Sequence, residues 1–260
     1  MRSASGCPAK RRLTGERIKS ALSYLRSLLF TNNLIYLYTI VCGSLSLCGS
    51  LFDAHGRWQH AWARIWSWLI LKTARIKVRV EGLEHVDPTR TTIYCANHPS
   101  AMDIPILLAN LPVQFRFLAK RSLFNIPFLG WHLGRSGHIP VDREHPREAL
   151  RSLDQAAQKI REGRSVVLFP EGTRSRDGKL LPFKSGSFYL AVRAGVPIVP
   201  ITLNGTRAVL RPDSVHVRPG EIEMIAHAPI PTEGLGLEDV EALSDRVRDQ
   251  ILSGFQPPED

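Results

Sequence analysis

Apolar and polar positions follow three different rules along this chain. From Ser27 to Phe52 runs an uncharged stretch, SLLFTNNLIYLYTIVCGSLSLCGSLF, long enough as a helix to cross a hydrocarbon core of roughly 30 Å. Asn32 and Asn33 interrupt its first half, and Gly43, Ser44, Ser46, Gly49 and Ser50 weaken its second. In the next segment Trp58, Trp62, Trp66 and Leu69 recur at helical spacing, while Arg57, Arg64, Lys72 and Arg75 take other positions around the helix. Aromatic and basic side chains sharing one amphipathic helix suit a membrane interface. Together the two segments predict a hydrophobic helical membrane anchor, either spanning or lying partly in one leaflet. Basic residues on both sides of the apolar run give no orientation. A helix pair buried inside the globular domain is the alternative.

From about Arg75 the rule changes to short β-branched runs alternating with helical stretches. KVRVEG, TTIYCAN, FRFLAK, HIPVD, SVVLFP, PIVPITL and EIEMIAH read as strands. DIPILLAN, HPREALRSLDQAAQKIREG, SGSFYLAVRAG and EDVEALSDRVRDQILSG read as helices. Such alternation predicts an α/β fold whose strand-end loops gather the functional groups. The predicted organisation is a basic segment over 1–26, the anchor over 27–74, the α/β domain over 75–255 and a frayed tail over 256–260.

Composition narrows the function classes. A 43% hydrophobic content is ordinary for a globular protein and gives no sign of a multi-span channel or transporter. Lys+Arg 34 against Asp+Glu 24 leaves a net charge of +10, which favours an anionic partner such as nucleic acid, an anionic membrane surface or a phosphorylated substrate. A generally solvated basic surface would look the same. Cys7, Cys42, Cys48 and Cys95 lack metal-ligand spacing, which fits a reduced, cytosol-facing domain. Cys95 could act as a nucleophile, but on a predicted strand it reads better as a small buried residue.

The chemistry concentrates where predicted strands end. TTIYCAN runs into His98, Pro99, Ser100, Ala101, Met102 and Asp103, and Pro99 suits the first turn of a helix. A spacing of five does not put His98 and Asp103 on one helix face, but a tight turn would fold the carboxylate onto the imidazole. Asp103 would then hold one ring nitrogen and leave the other to take a proton. No protein nucleophile accompanies the pair, so the attacking oxygen must come from substrate. Ordinary capping residues would show the same spacing. After SVVLF come Pro170, Glu171, Gly172, Thr173 and Arg174. Gly172 permits close backbone approach to a ligand, and Arg174 offers forked donors for phosphate. Lys184 precedes a predicted helix start, another setting for an anion. VPIVPITL could line a tunnel for an acyl chain or pack as core.

Taken in order, NHPSAMD, GHIPVDR, FPEGTRS and VPIVPI resemble the motifs of the glycerolipid acyltransferase family, in particular its bacterial 1-acylglycerol-3-phosphate acyltransferases. The resemblance runs from about Ser27 to Ala228. It implies a mixed α/β sheet flanked by helices, with His98 as general base on the acceptor hydroxyl and Asp103 as its partner. It also implies that Glu171, Gly172, Thr173 and Arg174 hold the phosphate and glycerol end of the acceptor, and that Lys120 and Arg143 are further acceptor-binding residues. The implied reaction moves an acyl group from coenzyme A or acyl carrier protein to the 2-hydroxyl of lysophosphatidic acid, giving phosphatidic acid, with no metal or bound cofactor; glycerol 3-phosphate, another lysophospholipid or a lyso-ornithine lipid is the alternative acceptor. The implied location is a bacterial inner membrane, with the catalytic domain on the cytoplasmic side. A membrane-tethered nucleic-acid or anionic-lipid binder would leave the His–Asp and EGTR loops unexplained, so no nucleic-acid partner is expected. A serine hydrolase is disfavoured because no G-x-S-x-G occurs, although KSGS superficially suggests one.

Overall fold

The computed structural model describes residues 19–53, 55–142 and 146–257. Two long helices lead into the domain. Helix α1 (Lys19–Gly49) continues well upstream of the expected boundary at residue 27, and α2 (Arg57–Ala74) folds back along it. Trp58 Nε1 donates to the Leu45 carbonyl and Trp66 Nε1 to Thr39 Oγ1, both at 3.0 Å. Farther along, Tyr38 and Thr73 hydroxyls meet at 3.2 Å. Trp58 and Trp66, expected at an interface, thus also stitch the hairpin together, while Trp68 stands exposed with Lys72 over its ring. The hairpin turn is tied to the domain by Arg116, whose guanidinium donates to the carbonyls of His55 and Gly56.

The polar interruptions of the apolar run have structural uses. A π-helical turn at Ser27–Thr31 lets Ser27 Oγ accept from the Val217 amide at 2.9 Å, and Asn32 donates to the Val215 carbonyl at 2.9 Å. π-Turns of this kind open a helix wall for such docking. At the other end, Ser46 Oγ lies 3.3 Å from His132 Nδ1. Both ends of the stretch therefore touch the same domain, although residues such as Phe30, Tyr36, Leu37 and Ile40 remain exposed.

All seven expected strands are present: β1 (Ile76–Glu81), β2 (Ile93–Ala96), β3 (Arg116–Lys120), β4 (Ile139–Val141), β5 (Val166–Leu168), β6 (Ile198–Asn204) and β7 (Gly220–Ala226). They form one sheet in the order β1-β7-β6-β2-β5-β3-β4. Only the β6–β7 pair is antiparallel, so the sheet is mixed. Helices α3 (Asp103–Asn110), α4 (Leu129–Arg135), α5 (Pro146–Arg161), α6 (Ser185–Ala194), α7 (Thr206–Val209) and α8 (Val240–Gly254) complete the described elements. Alternation along a strand separates the two cores. Tyr94, Ala96 and Val167 pack with Ile70, Leu71 and Leu107 on one side of the sheet. Ile93, Cys95, Val166 and Leu168 pack with Ile160, Phe188 and Val247 on the other.

Two open alternatives are decided here and one expectation is trimmed. β6 is buried at every position, with Val199, Ile201 and Leu203 in one core and Ile198 in the other, so VPIVPITL is core and lines no tunnel. Cys95 is fully buried and burial raises its thiol pKa, which removes the nucleophile reading. The tail is held at Gln256, whose amide donates to Asn204 Oδ1 at 3.0 Å; residues 258–260 lie outside the described residues. Helix α4 and the turn before it (Arg121–Asn125) were not anticipated.

Candidate functional site

Strand order builds the site. β2 and β5 are parallel neighbours, with Cys95 opposite Leu168, so the loops that leave their carboxyl ends emerge side by side. One carries His98 and the other carries Glu171. On the far side of β2, Asn97 clamps the corner to β6: its amide donates to the Leu203 carbonyl at 3.0 Å, and its oxygen accepts from the Leu203 amide at 2.7 Å.

The spacing of five between His98 and Asp103 is closed by a turn. Asp103 opens α3, and its Oδ2 accepts from the Ser100 amide at 2.9 Å while lying 2.7 Å from His98 Nδ1. Ser100 Oγ in turn donates to the Leu210 carbonyl at 2.7 Å. The carboxylate thus receives Nδ1–H, which leaves Nε2 with the lone pair in the neutral ring. Asp103 is completely buried, and burial pushes its carboxyl pKa up against the opposing pull of His98 and the Ser100 amide. The start of α3 adds a favourable helix-dipole field for its charge. Phe169 stacks on the imidazole with ring centres 3.9 Å apart, which limits ring rotation.

Glu171 sits differently from the expectation. The residue is 3% exposed. Oε1 accepts from the His98 amide at 2.6 Å and Oε2 from the Leu181 amide at 2.9 Å. Oε1 thus ties this loop to the one carrying His98, and Oε2 ties it to its own later part, so both oxygens are engaged within the protein. Burial raises its pKa as well, opposed by those two amides. The Ser175 amide donates to the His98 carbonyl at 3.1 Å, closing the same junction.

Gly172 adopts φ +70°, and a Cβ there would stand 2.8 Å from Lys184 Cε. The Lys184 side chain consequently lies across Gly172, with its backbone amide held by the Pro170 carbonyl at 2.8 Å. Lys184 is the N-cap residue of α6, and its side chain is exposed. His98, Lys120, Gly172, Thr173 and Arg174 all border one cavity of about 680 Å³, whose remaining wall comes largely from α1, α2, β3 and α4. Thr173, Arg174 and Lys120 are exposed. Asp177, a possible partner for Arg174, instead accepts from Ser175 Oγ and the Lys179 amide. Arg143 lies outside the described residues.

Reading the sequence alone missed Asn97, Ser100 and Phe169 as supports of His98, and missed α4 as a cavity wall. The only sequence signal for α4 was the apolar run around IPFLGW, which leaves Ile126 and Trp131 exposed beside the hairpin. Phe128, at φ +65°, closes this wall against α1. Gly43 makes that approach possible, since a Cβ there would stand 2.8 Å from the Phe128 ring.

Comparison with known proteins gives a consistent set. The acyltransferase family profile matches residues 77–204. The chloroplastic 1-acyl-sn-glycerol-3-phosphate acyltransferase BAT2 of Brassica napus is 38% identical over 183 residues, which cover 69% of this chain and 53% of that protein. Human 1-acyl-sn-glycerol-3-phosphate acyltransferase alpha is 36% identical over 182 residues, covering 70% of this chain and 64% of that one. The match thus spans about half the length of the plant relative. Among solved structures, the 1-acyl-sn-glycerophosphate acyltransferase PlsC of Thermotoga maritima superposes with a TM-score of 0.74 at 28% identity, covering 92% of this chain and 97% of that one.

Proposed function

Since residues 77–204 match the acyltransferase family profile, we propose that this chain transfers a fatty acyl group from a thioester of coenzyme A or acyl carrier protein to the 2-hydroxyl of lysophosphatidic acid, giving phosphatidic acid. One observation carries the reading: an oriented imidazole, exposed cationic side chains and a largely apolar cavity share one site. His98 Nε2 takes the proton as the acceptor hydroxyl attacks the thioester carbonyl, and Asp103 supports the imidazolium that forms. The thiol then leaves, with the proton returned from His98. Thr173, Arg174 and Lys184 hold the acceptor's phosphate and glycerol, Lys120 adds positive charge at the rim, and Arg143 belongs to the same group by resemblance. Glu171 acts as a positioning residue. The apolar cavity receives the acyl chain.

The hairpin keeps the site at its lipid substrates. Ser27 and Asn32 at one end of the apolar stretch, and Ser46 at the other, bond to the domain. Because these contacts are separated by roughly 30 Å of helix, α1 lies along the domain, and it enters one leaflet with its exposed face. Its cytoplasmic placement in a bacterial inner membrane rests on the resemblance and on the cysteine spacing.

The decisive assay offers purified full-length protein in detergent lysophosphatidic acid and an acyl thioester, with lipid products separated by mass. Phosphatidic acid formation is expected. Equal or faster acylation of glycerol 3-phosphate or a phosphate-free lysolipid would reassign the acceptor.

A further inference from the structure

At the corner that carries His98, one buried pair is left open on both sides. Asp103 Oδ2 takes the hydrogen bonds from His98 and the Ser100 amide, while Asp103 Oδ1 has no hydrogen bond of ordinary geometry among the described residues. The same is true of Thr206 Oγ1 at the start of α7, and both residues are completely buried. The chain on either side of Thr206 fixes its neighbourhood. Before it, Leu203 exchanges two hydrogen bonds with the Asn97 side chain; after it, the Leu210 carbonyl accepts from Ser100 Oγ at 2.7 Å. Asn97 and Ser100 belong to the segment that ends in Asp103, so Thr206 is strapped to that segment from both ends. Gly205, at φ +81°, makes the bend between, and a Cβ there would stand 2.6 Å from the Glu221 carbonyl oxygen.

A carboxylate oxygen buried without a donor is costly, and so is a buried hydroxyl without an acceptor. Each group supplies what the other lacks, since a threonine hydroxyl can donate and an ionised carboxylate only accepts. Burial raises the Asp103 pKa, and the Thr206 hydroxyl joins His98 and the Ser100 amide in opposing that rise. The two groups therefore already lie within reach of each other. Hydrogen bonds in an active site are often long or misaligned before substrate binds, and tighten in the course of the reaction.

We propose that Thr206 is a positioning residue for acyl transfer, its hydroxyl closing on Asp103 Oδ1 and holding that side chain as the carboxylate. The proposal rests on the reading that His98 is the general base. An ionised Asp103 keeps a proton on His98 Nδ1 and leaves Nε2 free to take the acceptor's proton. Once Nε2 has taken it, the carboxylate faces a full imidazolium and stabilises it. A neutral Asp103 gives neither support. Thr206 does not border the cavity, so its effect runs through Asp103 alone.

The test compares variants of the full-length protein in detergent, with lysophosphatidic acid and an acyl-coenzyme A as substrates, across a pH series. Thr206→Val keeps the shape and removes the hydroxyl. It should lower kcat about tenfold, with little change in KM for either substrate. Without the hydroxyl, burial is less opposed and Asp103 keeps a proton to higher pH, so the acid limb of kcat/KM should move to higher pH. Thr206→Ser keeps the hydroxyl and loses a buried methyl. It should stay near the parent in rate and pH profile while melting at a lower temperature. A packing role alone predicts the reverse order, with Ser worse than Val. If Thr206→Val does not fold, Thr206→Ser set against Thr206→Ala isolates the hydroxyl in the same way. A folded hydroxyl-free variant that matches Thr206→Ser in both kcat and acid limb overturns the proposal. Failure of the underlying reading looks different: His98→Ala then retains transfer, or the parent makes no phosphatidic acid, and the role of Thr206 falls with it.

Discussion

The strand-end corner and the helical hairpin satisfy themselves in opposite ways. Around His98 each group that matters is held by another within the domain: Asp103 and Glu171 by backbone amides, Asn97 by Leu203, and the imidazole by Phe169. The hairpin docks Ser27, Asn32 and Ser46 on the domain but leaves Phe30, Tyr36, Leu37 and Ile40 uncovered. Apolar surface of that extent calls for a lipid environment. The corner is organised to do chemistry, and the hairpin decides where the chemistry happens. If this division is right, each region can be damaged without the other.

The largest effect should come from the corner. His98→Ala is expected to lower turnover by roughly 10²–10⁴-fold while the protein still sediments with vesicles. Near-normal acyl transfer by a folded variant would end the general-base assignment. Ile40→Lys attacks the other region. A lysine in the middle of a lipid-buried stretch should reduce partition into vesicles on the order of 10²-fold, with turnover of a detergent-dispersed substrate retained. Unaltered vesicle binding would mean that the exposed face of α1 never meets lipid.

A smaller effect probes the rim between the regions. Arg174→Ala should depress kcat/KM for lysophosphatidic acid by about 1.5–3 kcal/mol, the scale of a charge-assisted hydrogen bond. Arg174→Lys should recover only part, since an ammonium cannot reproduce the fork. Equal damage with a phosphate-free acceptor would show that Arg174 shapes the loop instead of binding phosphate.

The smallest effect concerns what the corner costs in stability. Burial raises the Asp103 pKa, so the folded protein keeps this proton to higher pH than the unfolded chain does. In that window the native state binds more protons, and stability falls as pH rises. Asp103→Asn removes the titration. The melting temperature of the parent minus that of the variant should therefore decline from about pH 4 upward, by at most about 1.4 kcal/mol of stability per pH unit. A difference that grows with pH would mean that His98 and the Ser100 amide outweigh burial.

Local pattern was enough to find the elements and to point at the chemistry. Short β-branched runs marked all seven strands, and the uncharged stretch marked a long apolar helix. Residue type at strand ends singled out His98, Asp103, Gly172 and Arg174, because these properties belong to the residues and their immediate neighbours. What sequence could not supply depends on which strands are adjacent. Only the sheet order brings the loop after β5 against the loop after β2, and that contact turns Glu171 from an expected phosphate ligand into a buried fastener between them. The same holds for the cavity. β6 was the apolar strand that suggested a tunnel, yet it is central and covered on both faces. The cavity instead lies under α1, α2 and α4, where Phe128 meets Gly43 across 85 residues of chain. Apolar residues look alike in sequence whether they fill a core or wall a cavity; the difference lies in what packs opposite them, and only the tertiary structure decides that.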